Sequence, residues 1–322
     1  DFENFAWRVA QVPGIDLLLT GHTHESIPPR KLGNVIVAQP GKWAEFVTRI
    51  DLKLERRKGR WQIASWTGSN QAMEKQPVHP AVVAAVEKLQ DRVRAELARV
   101  VGELGAPLTL GGVPTRDDAT VDLVHAVQLA ATGAQLSLAA PLSSARYEVP
   151  AGPLQMRVLH GLFPYPNTVL MVALTGAQLH NVVAHAVRGW QGRDCSRPQG
   201  CTLLRDPRLP YYNYDTLQGA TYLVNPLAPV GQRVRNLRVS GRPVEPTATY
   251  TLAVNSYRAV GGGNYPHLLT APRLKEIDRP MVELIAEYIA RLGTVTPEAD
   301  DNWAFAIPLA EAVAPPSTLP VP

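Results

Sequence analysis

The sequence predicts an α/β (α+β) fold arranged in more than one domain. Of the 322 residues, 45% are hydrophobic and 19% are charged, which is a globular composition. Strand patterns and amphipathic helix patterns alternate along the chain, and one long helix separates a strand-rich first segment from a longer mixed segment. A chain of this length commonly forms two domains. We therefore expect two packed units joined by a helix.

The charge distribution argues against a nucleic-acid polymer as a partner. The 32 lysines and arginines and 28 acidic residues give a formal net charge of +4, and the longest block of like charge is only residues 56–58. A nucleic-acid interface usually needs a basic stripe. No run approaches the roughly 18 to 20 apolar residues of a spanning helix, so the sequence predicts no membrane span. The first residues also lack the pattern of a signal peptide.

The first segment is predicted to form strands, with a histidine-containing loop after the first of them. Apolar residues at 15–20 predict a buried strand that ends at the loop 21–24. Further strands are predicted from alternating patterns, with a hairpin turn at 57–59 between the last two. These strands span residues 34–38, 44–55 and 60–66.

A long amphipathic helix is predicted at residues 79–101, because apolar side chains recur every three or four positions and Pro80 suits a first turn. Helices and strands then alternate. Helices are predicted at 119–131, 152–160, 176–188 and 280–292, and strands at 134–139, 168–174, 221–224, 234–239 and 249–255.

Residues 189–210 lack periodicity and are expected to form a loop. Cys195 and Cys201 lie in this stretch. They could form a small disulfide or remain two free thiols, and two cysteines do not decide between these alternatives.

The most distinctive short motif contains Gly21, His22 and His24. Two imidazoles separated by one residue can face the same region at the end of a sheet, and the glycine lets the backbone turn closely beside a cation. Imidazole suits Zn, Cu, Fe or Ni. The alternative is that two loop histidines are neighbours by chance. A metal site is favoured because the order of an apolar strand, this motif, a further strand and residues 39–43 resembles the closing segment of a calcineurin-like metallophosphoesterase.

The first segment resembles the closing part of a calcineurin-like metallophosphoesterase, and the order of parts along the chain is similar to the 5′-nucleotidase family. The resemblance is greatest to the branch of 2′,3′-cyclic-nucleotide 2′-phosphodiesterase/3′-nucleotidases. Five separated motifs follow the order of that branch: residues 117–121, 138–141, 165–168, 212–215 and 255–259.

The resemblance also implies a domain organisation. It assigns residues 1–76 to the end of a metallophosphoesterase domain and residues 77–105 to an interdomain linker helix. Residues 106–311 would form a nucleoside-binding domain of the 5′-nucleotidase C-terminal type, followed by a Pro-rich tail at 312–322, which we expect to be disordered.

In this family, two divalent ions such as Zn or Mn lie at the end of the sheet and make a water nucleophilic toward the phosphate. By resemblance, His22 is a ligand of one ion and His24 is a ligand of the other. The remaining family ligands would precede Asp1. We therefore expect no catalytic residue within this chain, and we expect the chain to be inactive by itself.

The resemblance places a nucleoside between Tyr165 and Tyr257. Two phenol rings suit this role because every base offers a π-face, and stacking contributes roughly 1 to 3 kcal/mol per base. Asn167, two residues after the first ring, fits an amide that reads the base edge. Gly262 and Gly263 allow the backbone to approach the ligand closely. The alternatives are that the tyrosines fill a core and that Asn167 is only a turn residue.

Arg146 and Arg116 are the candidate phosphate ligands. Arg146 matches an arginine with which the family reaches the substrate, and a guanidinium suits a phosphate. Arg116 is a second candidate, and its alternative is a surface ion pair with Asp117 or Asp118. Arg258 is a third candidate.

Two further groups are interpreted as structural. The four tyrosines between residues 211 and 222 are expected to pack on one face of a sheet. The histidines on helical stretches are expected to be satisfied by their neighbours or exposed: His125, His160, His180 and His185.

Together, these features imply the substrate-binding part of an exported nucleotide phosphohydrolase, periplasmic or at the cell surface. The expected partner is a small-molecule nucleotide or nucleoside, and the expected reaction opens 2′,3′-cyclic nucleotides and then releases the 3′-phosphate. Two alternatives stay open. One is a 5′-nucleotidase or nucleotide-sugar hydrolase, and the other is a non-catalytic nucleoside-binding module.

Overall fold

The structure is a computed structural model that describes residues 5–111, 115–142, 146–197 and 200–306. It divides into two compact units, Asp1–Gln90 and Asp91–Pro322. In the described part of the chain, no helix is long and apolar enough to cross a membrane. The predicted tail at 312–322 lies outside the described residues.

The first unit is rich in strands. Its elements are α1 (Ala6–Val9), β1 (Leu17–Leu19), β2 (Ser26–Leu32), β3 (Val35–Pro40), β4 (Phe46–Arg57), β5 (Arg60–Ala72) and the start of α2 (Pro80–Ala98). β3 pairs in parallel with β1 and antiparallel with β2, and β4 and β5 form a long hairpin. The hairpin turn at Lys58 and Gly59 has φ values of 50° and 78°, which agrees with the turn that the sequence predicts.

The buried strand of this unit is β3, and the prediction of a buried strand at 15–20 is wrong. Leu19 in β1 is 65% exposed, whereas Ile36 and Ala38 in β3 are 1% and 0% exposed. Among the strands of the described residues, β3 has a neighbour on each side, whereas β1 pairs with β3 alone. An apolar run indicates a strand, and its place in the sheet then decides how far it is buried.

The second unit contains most of the chain. Its elements after α2 are β6 (Val100–Leu104), β7 (Leu108–Leu110), α3 (Ala119–Thr132), β8 (Leu136–Ala139), β9 (Tyr147–Val149), β10 (Gly152–Gln155), α4 (Met156–Leu162), β11 (Val169–Thr175), α5 (Gly176–Ala186), β12 (Trp190–Arg197), β13 (Gly200–Arg205), β14 (Thr216–Gln218), β15 (Ala220–Val224), β16 (Val234–Val239), β17 (Arg242–Pro243), β18 (Thr249–Asn255), α6 (Ser256–Ala259), β19 (Arg273–Ile277), α7 (Met281–Leu292), β20 (Thr294–Val295) and β21 (Trp303–Phe305).

A five-stranded mixed sheet in the order β14-β8-β18-β11-β19 forms the centre of the second unit. Along β11, Leu170, Val172 and Leu174 pack into a core with α5, whereas Val169 packs into the core that contains α3, α4 and α7. Alternate side chains of a strand point to opposite faces, so the sheet lies between helices on both sides. This arrangement confirms the predicted α/β (α+β) class.

Side-chain caps explain where two of these helices begin. The carboxylate of Asp118 accepts hydrogen bonds from the backbone N–H groups of Thr120 and Val121 at 3.0 and 3.3 Å. Thr175 and Gln178 form a capping box at the start of α5. An N-cap of this type is typically worth about 1 kcal/mol. The predicted starts of both helices are confirmed.

The strands β12 (Trp190–Arg197) and β13 (Gly200–Arg205) pair as an antiparallel hairpin, so the loop predicted at 189–210 is wrong. The pairing shifts register twice within the hairpin. Such shifts displace the alternation of side chains that a sequence pattern would show. A disulfide between Cys195 and Cys201 joins the two strands, which answers the question that the sequence left open.

The helix predicted at 152–160 is also revised. Its first residues form β10, which pairs antiparallel with β6, and the helix α4 begins only at Met156. Gly152–Gln155 is extended because it pairs with β6. The periodicity of the segment itself does not indicate this pairing.

Candidate functional site

Tyr165 and Tyr257 lie at the same end of the central sheet. β11 and β18 are antiparallel, with Val169 opposite Asn255. The segment that enters β11 and the segment that leaves β18 therefore meet at one sheet end. Tyr165 comes four residues before Val169 and is 39% exposed, and Tyr257 comes two residues after Asn255 and is half-buried.

Tyr257 has an aromatic neighbour on one side and a buried guanidinium on another. The ring of Tyr212 lies edge-to-face with it, with centroids 6.4 Å apart. Tyr211 in turn contacts Tyr212 at 5.4 Å. Cζ of Arg258 lies 5.3 Å from the Tyr257 ring centroid. Edge-to-face and cation–π contacts of this kind are favourable, so they hold the Tyr257 ring in a defined orientation.

The four tyrosines at 211–222 do not share a sheet face, so that prediction is wrong. Tyr211 and Tyr212 lie in the short 3₁₀ helix Tyr211–Asn213, and only Tyr222 lies in a strand. Pro210 directly precedes this turn and has no N–H with which to extend a strand ladder. Tyr212 therefore reaches Tyr257 from a turn, which the sequence pattern did not indicate.

Gly262 and Gly263 leave space that their neighbours fill. A Cβ at Gly262 would lie 2.5 Å from Cε2 of Tyr257. Gly263 has a φ of 75°, and a Cβ there would lie 2.4 Å from Nη1 of Arg258 and 2.6 Å from Oδ1 of Asn213. These glycines therefore allow Tyr257 and Arg258 to pack against the loop. Their approach to a ligand stays a prediction.

Asn167 lies in the segment that enters β11. Its carbonyl oxygen accepts a hydrogen bond from the N–H of Met281 at 2.8 Å. Its half-buried side-chain amide makes no hydrogen bond with another described residue. The amide is thus available to a ligand, and its reading of a base edge stays a prediction.

Arg258 is a buried structural residue, and its interpretation as a phosphate ligand is wrong. The residue is 2% exposed. Its guanidinium pairs with Asp215 at 2.7 Å and donates to Oδ1 of Asn213 at 2.9 Å. The hydroxyl of Tyr265 donates to the same Asp215 carboxylate. Burial disfavours the guanidinium charge, but the Asp215 carboxylate outweighs this effect and raises the pKa of Arg258.

Arg116 and Arg146 line one cleft of about 270 Å³ in the second unit. The structure thus brings the two predicted phosphate ligands together. The same cleft also contains Asp117, Asp118 and Asp301, so its charge is mixed. Arg116 has no ion-pair partner among the described residues, so the predicted alternative, an ion pair with Asp117 or Asp118, is not formed.

A carboxylate cluster lies beside this cleft. Oxygen atoms of Asp117, Asp122 and Asp300 all lie within 4.8 Å of one another. Burial raises the pKa of Asp122 to about 7, with the neighbouring Asp117 as the next cause. Burial, followed by a hydrogen bond with Asp300, also raises the pKa of Asp117. Asp122 therefore carries a proton in the folded protein at mildly acidic pH.

We expect Asp122→Asn to stabilise the protein increasingly as the pH rises from about 4 to 7. The folded-state pKa of Asp122 is about 7, against an ordinary value of 3.8. Between these values the folded state binds more protons than the unfolded state, so stability falls as the pH rises. Urea unfolding of parent and variant at pH 4, 5.5 and 8 checks this, with the exposed Asp278→Asn as control. An equal gain at all three pH values would contradict the expectation.

His125 is a fully buried structural histidine, as the sequence predicts. Its ring nitrogens lie 2.8 Å from Oγ of Ser137 and 3.0 Å from Oγ1 of Thr216. Burial lowers the pKa of His125 to about 3. Its contribution to stability is therefore lost as the pH falls below about 6.5, opposite in sign to that of Asp122. Comparing parent and variant at each pH cancels the contribution of His125.

His22 and His24 lie in the loop after β1 in the first unit, and both are exposed. The loop is held by Gln39, whose Nε2 donates to Oγ1 of Thr23 at 2.6 Å and to the carbonyl of Glu25 at 2.8 Å. Both histidines have left-handed backbones, with φ values of 70° and 62°. Hydrogen bonds from a buried strand therefore hold the Thr23 side chain and the Glu25 carbonyl, which flank His24.

Whether His22 and His24 can form a metal site depends on how many further ligand side chains lie near them. Within the described ranges, neither histidine belongs to a group of three potential ligands with closely spaced donor atoms. Zinc sites use three or four protein ligands. The residues in this part of the chain therefore do not make up a metal site by themselves, and the assignment of His22 and His24 as ligands stays a prediction.

Comparison with known proteins places the chain in a family. The profile described as "5'-nucleotidase, C-terminal domain" matches residues 98–270, more than half of the chain. The trifunctional nucleotide phosphoesterase protein YfkN of Bacillus subtilis is 25% identical over 94% of this chain and 24% of its own length. The 2′,3′-cyclic-nucleotide 2′-phosphodiesterase/3′-nucleotidase of Salmonella typhimurium is 25% identical over 94% of this chain and 56% of its own length.

Solved structures share the fold. A Staphylococcus aureus protein assigned as a 5′-nucleotidase superposes on 90% of this chain and 56% of its own chain, with a TM-score of 0.75 and 22% identity. The Thermus thermophilus 5′-nucleotidase precursor covers 94% of this chain with a TM-score of 0.57. The chain spans about a quarter to somewhat over half the length of the curated relatives above. The family match and the shared fold show that the chain belongs to the 5′-nucleotidase family and carries its C-terminal domain.

Proposed function

We propose that the chain is the substrate-binding part of a metal-dependent nucleotide phosphohydrolase. In this proposal the second unit binds the nucleoside between Tyr165 and Tyr257. The observation that carries the proposal is their common position at one sheet end, together with the fixed ring of Tyr257. One exposed and one restrained tyrosine at the same sheet end would stack on the two faces of a base without a large ordering cost.

Other polar groups would orient the ligand. The amide of Asn167 is available to donate to or accept from a base edge, because no described side chain occupies it. Arg116 and Arg146, which line the same cleft, would bind the phosphate. The three aspartates of that cleft would discriminate against additional negative charge. The chain would thus bind and orient a nucleotide.

The reaction is proposed for the longer protein. Three of the relatives are 2′,3′-cyclic-nucleotide 2′-phosphodiesterase/3′-nucleotidases. We infer the same reaction here: opening of a 2′,3′-cyclic nucleotide, followed by release of the 3′-phosphate. His22 and His24 would each supply one imidazole to a pair of divalent ions such as Zn or Mn, with the other ligands from residues outside this chain. By this proposal the chain alone is inactive.

Export from the cytosol is part of the proposal. The disulfide Cys195–Cys201 supports it, because structural disulfides persist mainly in oxidising compartments such as the periplasm.

Removal of either ring tests the proposed pair of stacking residues, Tyr165 and Tyr257, which we call the nucleoside clamp. We expect Tyr165→Ala and Tyr257→Ala each to weaken adenosine binding by about 5- to 150-fold, which corresponds to stacking of roughly 1 to 3 kcal/mol per base. Isothermal titration calorimetry on this chain measures the Kd. Tyr165→Phe and Tyr257→Phe are the matched controls, because they retain the stacking face, and binding within threefold of the parent is expected.

The outcomes separate the candidate functions. If the parent chain binds no adenosine, the proposed nucleoside site is wrong. If it binds and the longer protein turns over no nucleotide with added Zn²⁺ or Mn²⁺, a non-catalytic binding module is the better description. Phosphate release by the longer protein from 3′-AMP and 2′,3′-cyclic AMP is expected to exceed release from 5′-AMP. The reverse order would favour a 5′-nucleotidase.

A further inference from the structure

Two polar residues of α5 and one in the 3₁₀ turn Val187–Gly189 directly after it contact the loop that follows Tyr257. Nε2 of His185 lies 2.9 Å from the carbonyl oxygen of Gly263, and Nη2 of Arg188 donates to the same oxygen at 3.3 Å. The side-chain amide of Asn181 lies 3.2 Å from Nε2 of His267. A spacing of four residues places Asn181 and His185 on one side of α5, and Arg188 in the following turn reaches the same loop. We call these three residues the α5 stripe.

The α5 stripe is connected to Tyr257 through packed side chains. The rings of His185 and Tyr265 are in edge contact, with centroids 4.6 Å apart. The Tyr265 hydroxyl donates to Asp215, and Asp215 pairs with Arg258. Arg258 in turn donates to the carbonyl of Gly262 at 3.2 Å and faces the ring of Tyr257. A continuous series of ring contacts, hydrogen bonds and one ion pair therefore connects His185 with the ring of Tyr257.

The protonation state of His185 suits it to donate a hydrogen bond to the Gly263 carbonyl. Burial lowers its pKa to about 4, so the ring is neutral at physiological pH. A neutral imidazole that faces a carbonyl oxygen with Nε2 carries its proton there, because a carbonyl only accepts. Nη1 of Arg188 donates to the backbone carbonyl of His185 at 2.7 Å, which holds the end of the helix. Two donors thus converge on the carbonyl of Gly263.

We propose that His185 is a positioning residue for nucleoside binding. It fixes the Gly263 carbonyl and thereby holds the segment from Tyr257 to Gly263 in the conformation that presents the Tyr257 ring to a base. The inference rests on the proposed nucleoside clamp. Without the His185 donor, the loop samples more conformations, and binding has to restore the productive one.

The test compares adenosine binding by this chain and its variants with calorimetry. We expect His185→Ala to raise the Kd about fivefold to tenfold, the effect of one net hydrogen bond. His185→Gln, whose amide can donate to the Gly263 carbonyl, is expected to bind within twofold of the parent. His180→Ala, on the same helix but outside the α5 stripe, is the matched control and is also expected within twofold. Each measurement is made well below the melting temperature of that variant.

The possible results distinguish this inference from the proposed function. If Tyr257→Ala weakens adenosine binding and His185→Ala does not, the positioning role is wrong and the clamp stands. If His185→Ala and His185→Gln weaken binding equally, the donor is not the cause and the inference fails. If Tyr257→Ala has no effect on binding, the clamp itself is wrong. Should His185→Ala not fold, Arg188→Ala decides, because it removes the second donor: a raised Kd supports the inference, and an unchanged Kd overturns it.

Discussion

Asp215→Ala is expected to lower the free energy of unfolding by about 3 to 5 kcal/mol, the usual cost of removing one partner from a buried ion pair. Its partner Arg258 is 2% exposed. In the variant this guanidinium would keep its charge without a counter-ion, while Asn213 and the carbonyl of Gly262 offer only neutral acceptors. Tyr265 would lose its acceptor as well.

Urea unfolding followed by circular dichroism measures this loss. The matched control is Asp91→Ala, which removes the partner of Arg94 at 3.0 Å on an exposed helix surface. A loss of at most about 1 kcal/mol is expected there, because exposed ion pairs contribute little. The double variant Asp215→Leu/Arg258→Met, which removes both charges, should be more stable than Asp215→Ala. A loss of unfolding free energy below about 1 kcal/mol for Asp215→Ala would show that other groups stabilise the charge of Arg258 in the absence of Asp215.

Gly263→Ala is expected to lower the free energy of unfolding by about 2 to 5 kcal/mol, the second large effect. The left-handed backbone at Gly263, with φ at 75°, costs an L-residue about 1 to 2 kcal/mol. The new methyl group would also lie 2.4 Å from Nη1 of Arg258 and 2.6 Å from Oδ1 of Asn213. Both atoms belong to a buried hydrogen-bonded network and have little freedom to move, and overpacking of this kind costs about 1 to 3 kcal/mol.

Gly261→Ala separates these two contributions. Its φ of 96° is also left-handed, but the nearest atoms to an added Cβ are side-chain carbons of Leu269 at 3.8 and 3.9 Å. Only the backbone cost is therefore expected, about 1 to 2 kcal/mol. Equal losses of unfolding free energy in Gly261→Ala and Gly263→Ala would show that Arg258 and Asn213 shift to accommodate the methyl group at little cost.

The sequence predicted the candidate site where its residues lie within short motifs. Tyr165, Asn167, Tyr257 and Gly262 were identified from family motifs, and the structure brings the two tyrosine-bearing segments to one sheet end. The sequence did not predict contacts between residues that belong to different, distant segments. His185 was interpreted only as a satisfied or exposed histidine, because nothing within α5 indicates that its partner is a carbonyl 78 residues later.

Local patterns determined those elements whose cause is local. The strands predicted at 234–239 and 249–255 agree with β16 and β18 in both bounds, because alternating apolar residues between turns favour a strand. The caps at Asp118 and Thr175 likewise start α3 and α5 through hydrogen bonds that span three residues or fewer. Such signals act over a few positions, so the sequence alone displays them.

Tertiary structure alone decided the pairings between distant segments. The ion pair of Arg258 with Asp215 joins residues 43 positions apart. The greater burial of β3 than of β1 depends on its place in the sheet, and β12 and β13 pair despite their broken alternation. In each case the partner is chosen by sheet register and by packing, which bring remote groups within reach and remove water from them. The motifs therefore indicated which residues could bind a nucleotide, and the fold decided which residues hold them in place.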